Sequence, residues 1–61
     1  METIKEILIR RDSMTESEAD SLIEDAKEAL NQHILKFEFY KAENICQFYF
    51  GLEPDYIFEL L

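Results

Sequence analysis

Two side chains in this sequence carry acid, base or nucleophile chemistry near neutral pH, and each is the only one of its type: His33 and Cys46. Such a pair could act as a base and an activated thiol nucleophile. No third group that would orient the histidine is identifiable, and Cys46 falls on the apolar side of its predicted helix. A packed cysteine and a partly exposed histidine are therefore favoured over an active centre, and we expect no enzyme.

The low counts of cysteine, histidine and glycine limit which metals, disulfides and cofactors the chain can accommodate. One cysteine cannot form an intrachain bridge, and one cysteine with one histidine cannot supply the four ligands of a structural zinc. A single glycine cannot build a phosphate-binding loop of the nucleotide-binding type. The sequence thus predicts no metal and no cofactor.

Four acidic residues recur at intervals of four, which places them along one side of a predicted helix. They are Glu16, Asp20, Glu24 and Glu28. A divalent cation could bind weakly to such a row, but hard-cation sites usually draw oxygen ligands from loops or several helices. Only Lys27 is expected close enough to relieve the repulsion. A solvated helix face is favoured, and contact with a basic partner is the functional alternative.

All eight aromatic residues lie between positions 37 and 58, a high density for one small core. Three of them, Phe48 to Phe50, are consecutive and so cannot all face the same interior of a helical fold. Two interpretations of the cluster stay open: all of the rings pack in the core, or some of them form an exposed interaction surface. The second is considered because exposed aromatic patches mark contact sites. The candidate interaction residues are Phe48, Phe50, Tyr56 and Phe58.

Length and charge limit the classes of function. Sixty-one residues suffice for one domain, 1–61, whose core is marginal without extra packing or self-association. The net charge of −8 repels phosphate backbones and anionic lipids, so direct nucleic-acid binding is disfavoured. No apolar run approaches the roughly 20 residues of a membrane span, and the N-terminus lacks signal-peptide features. We expect a cytoplasmic protein.

Helical spacing of the apolar residues predicts an all-α fold, a small bundle of three or four helices that position these side chains. The first helix covers about 2–11, with Ile4, Ile7, Leu8 and Arg11 on one face. The second covers about 15–36 and begins at a capping box formed by Thr15 and Glu18. Its apolar stripe runs from Ala19 to Phe37.

The second half of the chain is less regular. Alternation within 35–41 would also suit a strand, but a lone strand has no partner, so this segment is interpreted as the end of the second helix and a tight link. A third helix at about 39–50 buries Ala42, Ile45, Cys46 and Tyr49. Gly51 then supplies a left-handed stop. Pro54 starts a short fourth helix, 54–61, which buries Ile57 with Leu60 or Leu61.

The two ends of the chain contain segments that resemble sequences of other proteins. RRDSMTESEA at 10–19 and GLEPDYIFELL at 51–61 resemble a group of short, uncharacterised acidic helical proteins of bacteria and their phages. That resemblance implies an all-helical fold and a mobile-element context and brings no activity with it. YFGLEPDYIFELL at 49–61 also resembles a helix-turn-helix corner, although its outward residues are acidic or apolar, unlike those that read bases.

These observations favour an acidic protein-interaction module without catalytic activity. Its partner is either another protein or a second copy of the chain, as a homodimer. One alternative is a phage-like acidic mimic of nucleic acid that inhibits a basic host protein. The other is a regulator of the helix-turn-helix type.

Overall fold

The computed structural model describes residues 2–61, and every regular element in that range is helical, which confirms the all-α prediction. Four α-helices are followed by a 3-10 helix. Their bounds are α1, Ile4–Asp12; α2, Glu16–Leu35; α3, Phe39–Glu43; α4, Ile45–Phe50; and the 3-10 helix, Pro54–Glu59. The 20-residue α2 contacts α1, α3 and α4, so it is the central element of the fold.

Capping boxes fix the starts of both long helices. Thr15 Oγ1 accepts a hydrogen bond from the Glu18 amide at 3.1 Å, and Glu18 accepts one from the Thr15 amide at 3.0 Å, as predicted. Thr3 and Glu6 form the same motif at α1. The predicted start of the first helix, at residue 2, was therefore too early, because Thr3 is the cap and Ile4 the first helical residue.

The link after α2 is tight, as predicted, but the apolar stripe of α2 ends earlier than expected. Phe37 adopts a left-handed conformation with φ of 59°, which breaks the helix. The Glu38 amide then donates to the His33 carbonyl at 2.8 Å. The prediction that Phe37 continues the buried stripe was wrong: its side chain is 80% exposed, and the stripe ends at the half-buried Ile34.

The predicted third helix, 39–50, is two short helices separated at Asn44. The Asn44 side chain donates to the Tyr40 carbonyl at 3.0 Å, and its backbone amide bonds Lys41 rather than Tyr40. An asparagine side chain that takes the carbonyl of the residue four positions back displaces the backbone bond of the regular helix. Asn44 therefore interrupts the helix without changing the direction of its buried face.

The C-terminal segment closes the molecule against α1. Gly51 has φ of 65° and ends α4, as predicted. The fourth predicted helix forms as a 3-10 helix that stops at Glu59, two residues early. The Glu59 carboxylate accepts a hydrogen bond from the Ile4 amide at 3.0 Å, which satisfies a free amide at the start of α1.

One hydrophobic cluster joins all these elements. Its most deeply buried large side chains are Ile4, Leu8 and Cys46. Leu60 is buried as predicted, whereas Leu61 is exposed. Among residues 2–61, no helix combines the length and the apolar character needed to cross a lipid bilayer.

Candidate interaction surface

Most of the aromatic side chains lie at the surface. Five of the eight have more than half of their area exposed: Phe37 80%, Phe39 58%, Tyr40 80%, Phe48 85% and Phe58 76%. Two predicted contact residues do not belong with them. Phe50 is 3% exposed and is part of the core, and Tyr56 is half-buried against the same core. Phe48 and Phe58 are exposed, and of the two only Phe48 lines the groove described below.

Phe48 and Tyr40 line a groove between α2 and the α3–α4 segment. Asn44 lies midway between them in the sequence, so the three residues follow one helical face at intervals of four. The floor includes the buried Ile45 and the half-buried Tyr49. The groove has a volume of 370 Å³ and is completed by Ala29, His33 and Lys41.

The Phe37–Phe39 pair precedes this groove along the chain. Its ring centroids are 6.1 Å apart in an edge-to-face arrangement, and neither ring is buried by the rest of the fold. A bulky residue in the left-handed region is strained, at a cost of about 1–3 kcal/mol. Phe37 therefore carries backbone strain while its ring stays in solvent, so core packing does not account for this residue.

An ionic cluster borders the groove. His33 Nδ1 lies 3.2 Å from Glu38 Oε1, and Lys41 Nζ lies 3.2 Å from Glu38 Oε2. The hydrogen bond with His33, followed by that with Lys41, lowers the pKa of Glu38 below its ordinary value. The cluster ties the end of α2 to α3 across the strained link and so fixes the groove's rim.

Cys46 is fully buried and His33 is partly exposed, as the sequence predicted. Burial raises the pKa of the Cys46 thiol, and the negative charge of Glu59 raises it further. A thiol with a raised pKa and no solvent access is a poor nucleophile. The structure gives His33 an orienting carboxylate, Glu38, that sequence reasoning did not identify. The geometry still gives no support to a Cys–His centre, because the thiol of Cys46 has no solvent access.

All four members of the predicted acidic row are exposed on α2. The expectation that only Lys27 relieves their repulsion was wrong, because Lys5 of α1 lies 3.1 Å from Asp20 and 4.0 Å from Glu16. Lys27 lies 3.9 Å from Glu24. Within the part of the chain that the structure describes, no three His, Cys, Asp or Glu side chains gather as a metal site would require.

The corner at Gly51 joins the six-residue α4 to the six-residue 3-10 helix. Three acidic residues, Glu53, Asp55 and Glu59, lie on the second arm or next to it, and that arm holds no basic residue. Glu59 is already engaged with the start of α1. The corner folds the C-terminal segment back onto the start of α1.

Sequence reasoning missed three of the exposed rings, Phe37, Phe39 and Tyr40. A usable signal was present for Tyr40, which shares the helical face of Phe48 opposite the buried Ala42 and Cys46. The exposure of Phe37 depends on its left-handed backbone, which no local pattern indicated. No protein-family model matches the chain, and neither a curated protein nor a solved structure matches it.

Proposed function

We propose that the protein is a non-catalytic interaction module that works in the cytoplasm and binds a protein partner through its aromatic surface, defined as Phe37, Phe39, Tyr40 and Phe48. The observation that carries the proposal is the exposure of these four rings, from 58% to 85%. Tyr40 and Phe48 line the groove, and Phe37 and Phe39 form an edge-to-face pair. Apolar groups left in water at this density cost solubility. A partner that covers them removes that cost.

Two further features support a binding role for this surface. The strain at Phe37 is a local cost that core packing of its ring does not offset, a pattern found where backbone geometry presents a side chain to a ligand. The groove beside Phe48 has an apolar floor and polar groups at its rim. That combination is typical of the centre of an interface.

We also propose that the protein has no catalytic activity, because its only cysteine, Cys46, is buried. The only thiol is enclosed by the core, so it is not presented to a substrate or to the partly exposed His33 as a nucleophile. The aromatic rings, in contrast, are exposed.

The acidic mimic is a second candidate, supported by the row of four exposed carboxylates on α2. Their spacing along a 20-residue helix presents a line of negative charge about 18 Å long between the first and last members, since a helix rises 1.5 Å per residue. Lys5 and Lys27 reduce that field by contacting three of the four. The aromatic surface has no comparable internal compensation, so it is the stronger candidate.

A site-specific photo-cross-linker tests the proposed function in the producing cell. We place a benzophenone amino acid at position 48, in the aromatic surface, or at position 58, a phenylalanine of similar exposure that does not line the groove. Irradiation is expected to give a discrete cross-linked protein species from position 48 and little from position 58. A third probe at position 24 reports on the acidic face.

The position of the cross-links and their dependence on salt distinguish the aromatic interface from the acidic mimic. The salt dependence is measured by irradiating a lysate of the producing cell at low and high salt. Adducts that still form from position 48 in high salt support the aromatic interface, because screening does not weaken apolar contacts. Adducts from position 24 alone, whose yield falls as salt rises, would replace it with the acidic mimic. If position 48 gives no protein adduct although the probe protein is folded, the proposed function is wrong.

A further inference from the structure

We infer that a second groove, between the C-terminal half of α2 and Leu60–Leu61, binds a cationic amphipathic helix of a partner protein. We call it the acidic groove. It shares no lining residue with the groove beside Phe48, so this site is additional to the aromatic surface. Its apolar floor takes the aliphatic side chains of the partner helix, and two carboxylates of α2 take its lysines or arginines.

The floor of the acidic groove is aliphatic. The groove has a volume of 580 Å³, and its lining includes four aliphatic side chains: Leu30, Ile34, Leu60 and Leu61. Leu30 and Leu60 are buried, whereas Leu61 is 73% exposed. Leu61 therefore keeps apolar surface in water that an occupant of the groove can cover.

The α2 wall of the groove carries two exposed carboxylates. Glu24 and Glu28 lie one helical turn apart, and Lys27 lines the groove with them, 3.9 Å from Glu24. Among residues 2–61, no cation lies within 4.0 Å of the Glu28 carboxylate. The formal charge of the lining side chains is therefore −1, and Glu28 is the carboxylate most available to a cation.

The net charge of the whole chain resides in the two segments that meet at this groove. Residues 16–28 contain six acidic residues and one lysine, and residues 51–61 contain three acidic residues and no basic one. Their formal net charges, −5 and −3, account for the whole −8, whereas residues 1–15 and residues 29–50 are each balanced. A positively charged partner is therefore steered towards the two segments that supply the walls of the acidic groove.

The other half of the acidic row is already compensated within the chain. Lys5 of α1 lies 3.1 Å from Asp20 and 4.0 Å from Glu16. In the part of the chain that the structure describes, the only cation near Glu24 or Glu28 is Lys27, on the same helix. The half of the row that lines the acidic groove is therefore the half left for a partner.

A cationic amphipathic helix matches both the floor and the wall. The α2 wall from Glu24 to Ile34 is about 15 Å long, at 1.5 Å per residue. Apolar anchors of a helix that lies in a groove recur every three or four residues, which leaves positions beside them for basic side chains. A second copy of this acidic chain would be repelled, and a purely apolar helix would leave Glu28 without a partner.

The test measures the binding of a labelled synthetic peptide to the full chain by fluorescence anisotropy at low salt. The peptide has leucines on one helical face and lysines on the other, and its length of about 14 residues gives a helix of about 20 Å, enough to cover the wall. A peptide with glutamates in place of the lysines is the control. We expect the lysine peptide to bind and the glutamate peptide not to bind.

Two charge variants locate the peptide. Glu24→Gln/Glu28→Gln changes the formal charge of the groove lining from −1 to +1, whereas Glu16→Gln/Glu43→Gln removes two exposed carboxylates that do not line it. Both change the net charge of the chain by the same amount. We expect the first variant to weaken binding about tenfold and the second to stay within about twofold. Equal losses would show general attraction to an acidic protein and overturn the inference.

Two leucine variants test the floor. Leu61 and Leu35 are 73% and 67% exposed, but only Leu61 lines the acidic groove. We expect Leu61→Ser to weaken binding about fivefold and Leu35→Ser to stay within about twofold. Circular dichroism checks that both variants keep their helices. A partner that contacts the carboxylates alone, as the acidic mimic does, is insensitive to Leu61→Ser, and that result would contradict the groove.

Phe48→Ser separates this site from the aromatic surface. We expect it to leave the affinity of the lysine peptide unchanged, because Phe48 does not line the acidic groove. A loss in Phe48→Ser, or no binding to the native chain at peptide concentrations up to about 1 mM, would defeat the acidic groove. Neither result removes the proposed function, which depends on cross-linking from position 48.

Discussion

The guanidinium of Arg11 donates a hydrogen bond to the backbone carbonyl of Phe50 at 2.6 Å, across 39 positions of sequence. It joins the last turn of α1 to the end of α4, where helix carbonyls lack intrahelical partners. Asp12 holds the same guanidinium through two hydrogen bonds of 2.8 Å. This contact stabilises the corner at Gly51 from outside.

Replacing this guanidinium should loosen the corner. Arg11→Lys keeps the charge but loses the planar fork that serves Phe50 and Asp12 together, so we expect a lower thermal unfolding midpoint. Arg10→Lys is the control, because Arg10 pairs only with Glu2, near the start of its own helix. Equal midpoints for the two variants would show that the bond to Phe50 contributes nothing.

At position 37 a glycine variant should be more stable than an alanine variant, the reverse of their order in a regular helix. In a regular helix glycine is less stable than alanine, but at φ of 59° only glycine is free of strain. We expect Phe37→Gly to exceed Phe37→Ala by about 1 kcal/mol in the free energy of unfolding, measured with urea. Both variants lack the ring, so the difference isolates the backbone. An alanine variant as stable as the glycine variant would contradict the strain.

Substitutions at Gly51 and Ser13 should change the stability of the fold in opposite directions. Both have left-handed backbones at helix ends, with φ of 65° and 56°. Gly51→Ala should cost about 1 kcal/mol through backbone strain alone, since the nearest atom to an added Cβ is Arg11 Nη1 at 3.9 Å. Ser13→Gly should stabilise the chain by up to about 1 kcal/mol. Urea unfolding of both variants checks the signs.

The stabilisation from Glu38 should disappear in acid. Its pKa is lower in the folded chain than its ordinary value of 4.5, so the ionised carboxylate favours folding. This contribution is fully present above about pH 4.5 and is lost as the pH falls through the lowered pKa. The difference in unfolding midpoint between the native chain and Glu38→Gln should therefore shrink below that pH.

Glu43→Gln, also on α3, is the control for this pH series. If the gap between the native chain and Glu38→Gln stays constant as the pH falls, the contacts with His33 and Lys41 do not stabilise the fold. If Glu43→Gln reproduces the pattern, the effect belongs to the net charge and not to the cluster.

Cys46 should react only when the molecule opens. Its sulfur has no solvent exposure, and its raised pKa lowers the thiolate fraction. We expect a thiol-specific disulfide reagent to label it slowly in native buffer and faster as urea is added, in step with unfolding measured by circular dichroism. Labelling in native buffer at the rate of the fully unfolded chain would contradict its burial.

The starts and types of the long elements were predictable from local sequence. Thr15 and Glu18 specify a helix start by themselves, because both hydrogen bonds lie within four residues. Gly51 marks a helix stop for an equally local reason, since glycine alone enters the left-handed region without cost. The all-α class followed from the apolar spacing on the helices that these signals delimit.

The candidate surface was only half predictable. Phe48 and Phe58 were identified correctly as exposed, but Phe50 was not. Phe50 lies four positions after the buried Cys46, a helical spacing that indicates the core face and was not used. The packing of α4 against α2 and the 3-10 helix buries that face. The exposed Phe37 was missed because a helix that continued past Leu35 would have turned its ring towards the core. The helix ends before Phe37, so the ring stays exposed.

The sequence by itself determined the helical class, the caps, the net charge of −8 and the neutral balance of residues 29–50, because these depend on composition and on contacts within a few positions. Only the tertiary structure decided which aromatic rings are buried, that Lys5 reaches the acidic row, and that Glu59 caps α1 from 55 positions away. Those outcomes depend on how helices meet in space, and the energy of such contacts is set by packing partners that no local pattern names.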